Sequence, residues 1–294
     1  MKTSVVYLII AACAVSIGAA GGIIAKKVFG GEDVVYGDFD PLSLEEDSKQ
    51  LVVRYDNYNG TTPEKAFSPA ELISIGLEKY RNCDFSYSIG KGVASTIVSQ
   101  TVRNFQIKNG REYFEESISN SSMVSLATRV SQVGVNGDIT VYNGKAISTE
   151  KGSYPSEGLT YNQVDYEKYL GKTLDRMFIY IISDDTVING SSTKTDSGYV
   201  VKVSLDADFG TYRYKYQMKN ISNLDNLPTF DYVNLTFTFD NNMMLQHLSV
   251  DEKYQASMGI TVSIKNSIEY EYYANQKLDI PSLDEELDYS LKGE

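Results

Sequence analysis

Val233, Leu235, Phe237 and Phe239 fall on every second position with polar residues between them, and the run stops at Asp240-Asn241-Asn242. A helix scatters such a set around its circumference. A strand gathers it on one face, because successive side chains point to opposite sides. Met244, Leu248 and Val250 continue on a return strand, and Ile260 to Tyr273 reads as a last long one, with an irregularity expected near Asn266. A sheet with one buried and one wetter face follows.

The same period rules the first half of the body. Phe85, Tyr87 and Ile89 alternate with small polar residues. Thr96 to Ile107, Arg111 to Ile118, Met123 to Val133 and Ile139 to Ile147 are further strand patterns, giving four or five antiparallel strands in sequence. Asn143-Gly144 in the last of these is the favoured pair for a two-residue hairpin turn. Gly198 to Ala207 reads as another strand. Helices interrupt the series in three places. Ser68-Pro69-Ala70-Glu71 is a capping box with Pro at the first helical position, and Leu72, Ile75, Leu77 and Tyr80 continue it to Arg81. Thr160 to Asp175 has helical spacing, followed by the short apolar run Met177 to Ile182. Asp208 to Lys219 is a third helix with Phe209, Tyr212 and Tyr216 on one side. The expected fold is α+β.

Ser4 to Ala25 is 22 residues without a charge. As a helix it spans about 33 Å, enough for the hydrocarbon core of a bilayer. Three readings fit it. One is a retained transmembrane helix. A second is a secretory signal cleaved near Gly18-Ala19-Ala20. A third is a lipoprotein signal built on Ile10-Ala11-Ala12-Cys13. The anchor is the reading taken, because the apolar run continues well past Cys13 and Gly18, Gly21 and Gly22 make a poor soluble helix. The lysines on its two sides nearly balance, so the body is placed outside because a short tail, one span and a long exported part make a signal-anchor. Residues 1–27 are then the anchor or signal segment, 28–67 a linker, 68–281 the folded domain and 282–294 an acidic tail. The expected place is the cell membrane, single-pass, with the C-terminal domain extracellular. One cysteine in the exported part, Cys83, cannot form an internal disulfide, which suits a Gram-positive surface. The five Asn-x-Ser/Thr sequons are what an Asn- and Ser-rich chain holds by chance.

Charge and composition narrow the chemistry. The 294-residue chain has 39 acids and 27 bases, a net charge of −12. Without residues 1–27, which hold three lysines and no acid, 24 bases remain and the body stands at −15. Such a body repels a phosphate backbone, so no nucleic-acid partner is expected. One histidine and two cysteines are too few for a zinc finger or a His-rich centre, and no cofactor or metal is expected. His247 sits in a strand pattern with no Gly-x-Ser-x-Gly in the chain, so no catalytic triad is read there. Ser191 to Lys194 and Ser88 to Lys91 match Ser-x-x-Lys but start no helix. Asp184-Asp185, Asp206 with Asp208, and Asp251-Glu252 are the carboxylate pairs a glycosidase would need, but the chain has no Trp to stack a sugar. Asp38 and Asp206 begin Asp-x-Asp without the spacing of an EF-hand, and Gly90-Lys91-Gly92 is not a phosphate loop. Cys83 is read as buried and inert.

The opening helix Ser68 to Arg81 followed by Asp84-Phe85-Ser86-Tyr87-Ser88, and the closing Asn275-Gln276-Lys277-Leu278-Asp279-Ile280-Pro281, give an element order that resembles the LolA, LppX and LprG group of exported lipoproteins. Tyr216-Gln217-Met218-Lys219, Pro228-Thr229-Phe230 and Asp251-Glu252-Lys253-Tyr254 also resemble uncharacterised membrane-anchored proteins of Firmicutes. The first resemblance implies a half-barrel: a curved antiparallel β-sheet with helices packed on its concave face, here preceded by an N-terminal transmembrane helix. It further implies a hydrophobic cavity for acyl chains, or a protein-sensing surface as in RseB-like domains. The function expected is a non-enzymatic, membrane-anchored binding or carrier module for a hydrophobic, acyl-chain-like ligand. Leu72, Ile75, Tyr80, Tyr212 and Tyr216 are the expected ligand-lining residues. The alternative is a cell-envelope protein-interaction or sensor domain without a ligand cavity. The partners expected are therefore the membrane through Ser4–Ala25, a lipid or other hydrophobic ligand, and an envelope protein.

Overall fold

A computed structural model of the chain describes residues 67–95, 98–107, 112–121, 126–135, 138–146, 159–162, 180–222, 224–257, 259 and 261–275; for the strands between 98 and 162 it gives backbone pairing. The expected anchor, most of the linker, the helix expected beyond Asn162 and the acidic tail lie outside these residues. No helix among the described residues is long and apolar enough to cross a membrane.

Eleven strands and two helices make up the described chain. Helix α1 is Pro69–Arg81. The strands β1 Phe85–Ala94, β2 Val98–Ile107, β3 Glu112–Ser121, β4 Leu126–Val135, β5 Asp138–Ala146 and β6 Leu159–Asn162 follow it. Then come β7 Val187–Thr195, β8 Gly198–Leu205, α2 Tyr212–Ser222, β9 Thr229–Asp240, β10 Leu245–Ser257 and β11 Thr261–Ala274. All strands lie in one open sheet of order β6-β5-β4-β3-β2-β1-β11-β10-β9-β8-β7, and every pairing is antiparallel. Two meanders thus meet where the first strand pairs with the last, with Gly90 opposite Tyr270 and Ala94 opposite Asn266.

Helix α1 begins as its sequence dictates. Ser68 Oγ accepts from the Glu71 N–H at 3.1 Å, and the Glu71 carboxylate accepts from the Ser68 N–H at 2.8 Å. The helix buries Ala70, Leu72, Ile73, Ile75, Gly76 and Tyr80. A side chain on Gly76 would meet the Phe239 ring at 2.1 Å, so only glycine lets the helix backbone come this close to β9. The core beneath contains Val201, Val203, Leu205, Val233, Leu235, Phe237, Phe239, Leu248, Val250 and Ile264. The opposite face of β9–β11 is wet and carries cross-strand pairs, such as Lys253–Asp231 at 2.7 Å and Ser249–Glu269 at 2.7 Å.

Several expectations are corrected. Asn143-Gly144 is not a turn: β5 runs through it, with Gly144 opposite Arg129 and Ala146 opposite Ala127, because pairing with β4 continues in register. Thr160 to Asn162, expected to open a helix, lie in β6 and pair with β5 instead. Asn266 causes no irregularity in β11; it stays in register between Glu252 and Ala94. Register shifts lie instead in the β9–β10 pairing, at Leu245/His247 and Lys253/Tyr254, and in the β7–β8 pairing at Val187/Asn189. Helix α2 starts at Tyr212, since residues 207–211 form turns, and it buries Tyr214 and Met218 rather than the side bearing Tyr212 and Tyr216. In β1 the alternation holds with the small residues inward: Ser86, Ser88 and Gly90 are buried, and Tyr87 and Ile89 are half-buried. Large rings take the room this leaves. A Cβ on Gly90 would meet the Tyr270 ring at 2.3 Å, and Tyr80 crosses Tyr272 edge-on at 5.2 Å.

Candidate functional site

The chemistry-bearing cluster among the described side chains is buried. Glu252 lies on the core face of β10 with no solvent exposure. Its neighbour Asp251 lies on the wet face, as alternation requires, so the two carboxylates cannot act as a pair. Three donors converge on Glu252. Tyr180 Oη donates to Oε2 at 2.6 Å, Tyr214 Oη on α2 donates to Oε1 at 3.3 Å, and Asn266 Nδ2 on β11 donates to Oε1 at 2.9 Å. The rings pack as a file: Tyr180 against Tyr214 at 5.5 Å, Tyr214 against Phe230 at 5.5 Å, and Phe230 against Tyr254 at 5.0 Å.

Burial pushes the Glu252 carboxyl above the ordinary carboxylate range. The hydrogen bonds from Asn266, Tyr180 and Tyr214 pull the other way, and the Asp251 charge adds to the rise. Burial, and after it the Glu252 charge, holds the phenols of Tyr180, Tyr214 and Tyr254 protonated well beyond their usual range. Two atoms beside the cluster, Tyr254 Oη and Asn266 Oδ1, are buried without a hydrogen-bond partner among the described residues. Each such atom costs about 1–3 kcal/mol. With its carboxyl closed to solvent, this arrangement can tie elements together and cannot reach a soluble substrate. It joins the segment at Tyr180 and helix α2 to the two central strands.

The expected ligand-lining residues fall into two places. Leu72, Ile75 and Tyr80 meet in the core under α1, and the Tyr80 hydroxyl donates to the Tyr87 carbonyl at 2.8 Å. Burial raises the Tyr80 phenol, and a bond from Ser86 opposes this. Tyr212 and Tyr216 are half-buried on α2 with rings 5.0 Å apart. The structure does not bring the two groups into one cluster. Cys83 is buried, with its sulfur 3.8 Å from Met244 Sδ, and burial raises its thiol further than the nearby Asp84 charge does. His247 lies on the wet face, its Nε2 3.1 Å from Glu269. Asp184 and Asp185 are exposed, and Asp206 is taken up in a turn. Sequence reasoning grouped Glu252 with Asp251 and missed its partners. The available signal was an acid on the apolar register of β10, two positions from Val250 and two from Tyr254.

No family model matches the chain, and no curated protein matches it. Among solved structures, the chain is weakly similar to an all-β protein from Nitrosomonas europaea provisionally assigned as an AttH, at 8% identity and a TM-score of 0.22. The likeness covers 76% of this chain and 60% of that one, so the chain spans less than two thirds of its length. At that similarity the two need share no more than their sheet content.

Proposed function

We propose that the chain is a non-enzymatic, membrane-anchored interaction or sensor domain of the cell envelope, held outside the membrane by residues 1–27, with a LolA-like half-barrel as its scaffold. The observation that carries this reading over acyl-chain transport is the seat of α1. Gly76 brings the helix backbone onto the Phe239 ring, and Leu72, Ile75 and Tyr80 are consumed by core contacts. An acyl carrier needs several hundred Å³ between helix and sheet. Here Ile73 and Ile75 on the helix and Phe237 on the sheet are fully buried against other side chains.

The test is native mass spectrometry of the full chain, expressed in bacteria and released from detergent. A bare protein mass is the expected result. A stoichiometric lipid that survives delipidation-resistant washing overturns the proposal in favour of the carrier. Protease added to intact spheroplasts is expected to digest the body; protection of the body would overturn the exported orientation.

A further inference from the structure

Glu252 is a buried acid that forms no ion pair with any base among the described residues. Across the sheet it is flanked by Val233 on β9 and Asn266 on β11. The titratable groups packed around it are phenols. Tyr180 comes from the segment before β7, Tyr214 from α2, Tyr254 from its own strand, and Tyr270 from β11 beside Tyr180 and Tyr214. Asp251, next on the same strand, adds a like charge from the wet face. The lysines of the neighbouring elements are engaged elsewhere: Lys215 of α2 with Asp208, Lys253 with Asp231 and Lys265 with Asp251. Tyr254 Oη and Asn266 Oδ1 leave the cluster incompletely satisfied among the described residues. Such a network is where a core gives way first.

Two pieces of chain close over this acid, and the backbone joins them. The Ile181 N–H donates to the Gly210 carbonyl at 2.9 Å, and the Asp206 N–H to the Thr186 carbonyl at 2.7 Å. Residues 180–186 and the turn that leads into α2 are thereby one unit. Its two phenols, Tyr180 and Tyr214, meet edge-on at 5.5 Å, and both end on Glu252. Past α2 the chain is fixed at a different place, with the Asp225 N–H on the Ser257 carbonyl at 2.9 Å.

We infer that Glu252 is a proton-operated latch: as a neutral acid it holds the unit of residues 180–186 and α2 on the sheet, and on ionising it releases that unit and uncovers Phe230 and Tyr254. The inference rests on the sensor reading and names what is sensed, the acidity outside the membrane. An ion closed in here would meet no opposite charge, and opening restores its water. The sign follows from burial. Closed, the carboxyl lies above its ordinary range; open, it returns to that range. Between the two values the opening constant rises about tenfold per pH unit, and above the raised value it levels off. Acid locks the unit, and loss of acid frees it.

Hydrogen exchange read by mass spectrometry tests this, on the full chain in phosphatidylcholine nanodiscs from about pH 4 to about pH 9, corrected for the intrinsic pH dependence of exchange. Amides of α2 and of 181–186 are expected to lose protection about tenfold per pH unit within the window, while α1 keeps its own. Glu252→Gln is expected to flatten that profile. Tyr214→Phe removes a bond that pulls the carboxyl down, so the upper end of its window is expected at higher pH; it carries the test if Glu252→Gln does not fold. A flat wild-type profile, the same fall in Glu252→Gln, or an unmoved window in Tyr214→Phe overturns the latch. So does loss of α1 protection in step with α2, because the whole domain then opens. Failure here beside a bare mass in native spectrometry removes the latch and leaves the interaction or sensor reading; a bound lipid mass removes that reading whatever the exchange profile.

Discussion

One row of paired residues crosses both halves of the sheet and changes character on the way. From β8 it reads Val203, Leu235, Val250 and Ile268, and it continues in register through Gly92, Gln100, Ser119, Thr128 and Lys145. The apolar stretch ends at β1. Both described helices belong to the β7–β11 half: α1 packs on β7, β8 and β10, and Tyr214 of α2 reaches Glu252 of β10. Hydrogen bonding is the same in both halves, since all eleven strands are laddered. The two halves differ in the residues this row carries. Apolar surface removed from water is worth about 25 cal/mol per Å², and the register row on β2–β5 offers polar residues in its place.

The comparison breaks hardest at the aromatic pair under α1. Phe237 and Phe239 stack in parallel at 5.9 Å, both essentially fully buried. Phe237→Ala is expected to cost about 3–5 kcal/mol in chemical denaturation, from lost burial and the cavity left behind. Gly76→Ala forces a methyl into the Phe239 ring and is expected to cost about 1–3 kcal/mol. The sharper form is a double-mutant cycle. Gly76→Ala in a Phe239→Leu background is expected to cost less than in the wild type, because the leucine frees the space; strict additivity would mean that helix and ring are not in the contact described.

A gentler break concerns the buried carboxyl. Tyr180→Phe removes a donor from Glu252 and is expected to destabilise by about 1–2 kcal/mol at neutral pH. Tyr254→Phe removes a buried hydroxyl that has no partner among the described residues, so the expected change is neutral or stabilising. If both lose stability alike, the cluster's hydrogen bonds are not as assigned. The pH dependence has a definite sign. Glu252 is raised in the folded state, so its contribution is fully present below the ordinary carboxylate range and is lost as pH rises through its raised folded value. Wild-type stability relative to Glu252→Gln is therefore expected to fall across that window and to level off above it, as read from denaturation midpoints at a series of pH values. A difference that is flat or rises with pH contradicts burial as the dominant cause.

How far the sequence foretold this depends on whether a signal was local. The α1 boundaries followed from Ser68, Pro69 and Glu71, because a capping box is satisfied within four residues. The β9–β10 strands followed from alternation. Strand β7 gave no such sign: Ile188 to Thr195 is exposed throughout, and an edge strand with little to bury has no apolar period. Asn143-Gly144 misled because turn chemistry is a preference that the β4 ladder overrides. The inward face of β1 is not legible from its alternation, for a related reason. Ser86, Ser88 and Gly90 are buried because rings from α1 and β11 need shallow places to lie, and pattern within a strand carries no record of its neighbours' bulk. Glu252 was hidden likewise, since its donors come from three separate segments. The half-barrel likeness rested on element order, of which the antiparallel sheet and the opening helix are present.

The smallest expected effect probes the wet face of the same two strands that carry Glu252. Ser249 Oγ donates to Glu269 at 2.7 Å, a distance as short as those around Glu252. Both partners are reached by water, so a lost bond is replaced by bonds to solvent. Ser249→Ala is expected to change stability by no more than about 0.5 kcal/mol, against the larger loss for Tyr180→Phe across the strand. The two substitutions each delete one hydroxyl donating to one glutamate on β10–β11, and their ratio isolates what burial adds to a hydrogen bond. Equal losses in denaturation would mean that the Glu252 face is open to water, and the distinction between the two faces of this half would fall.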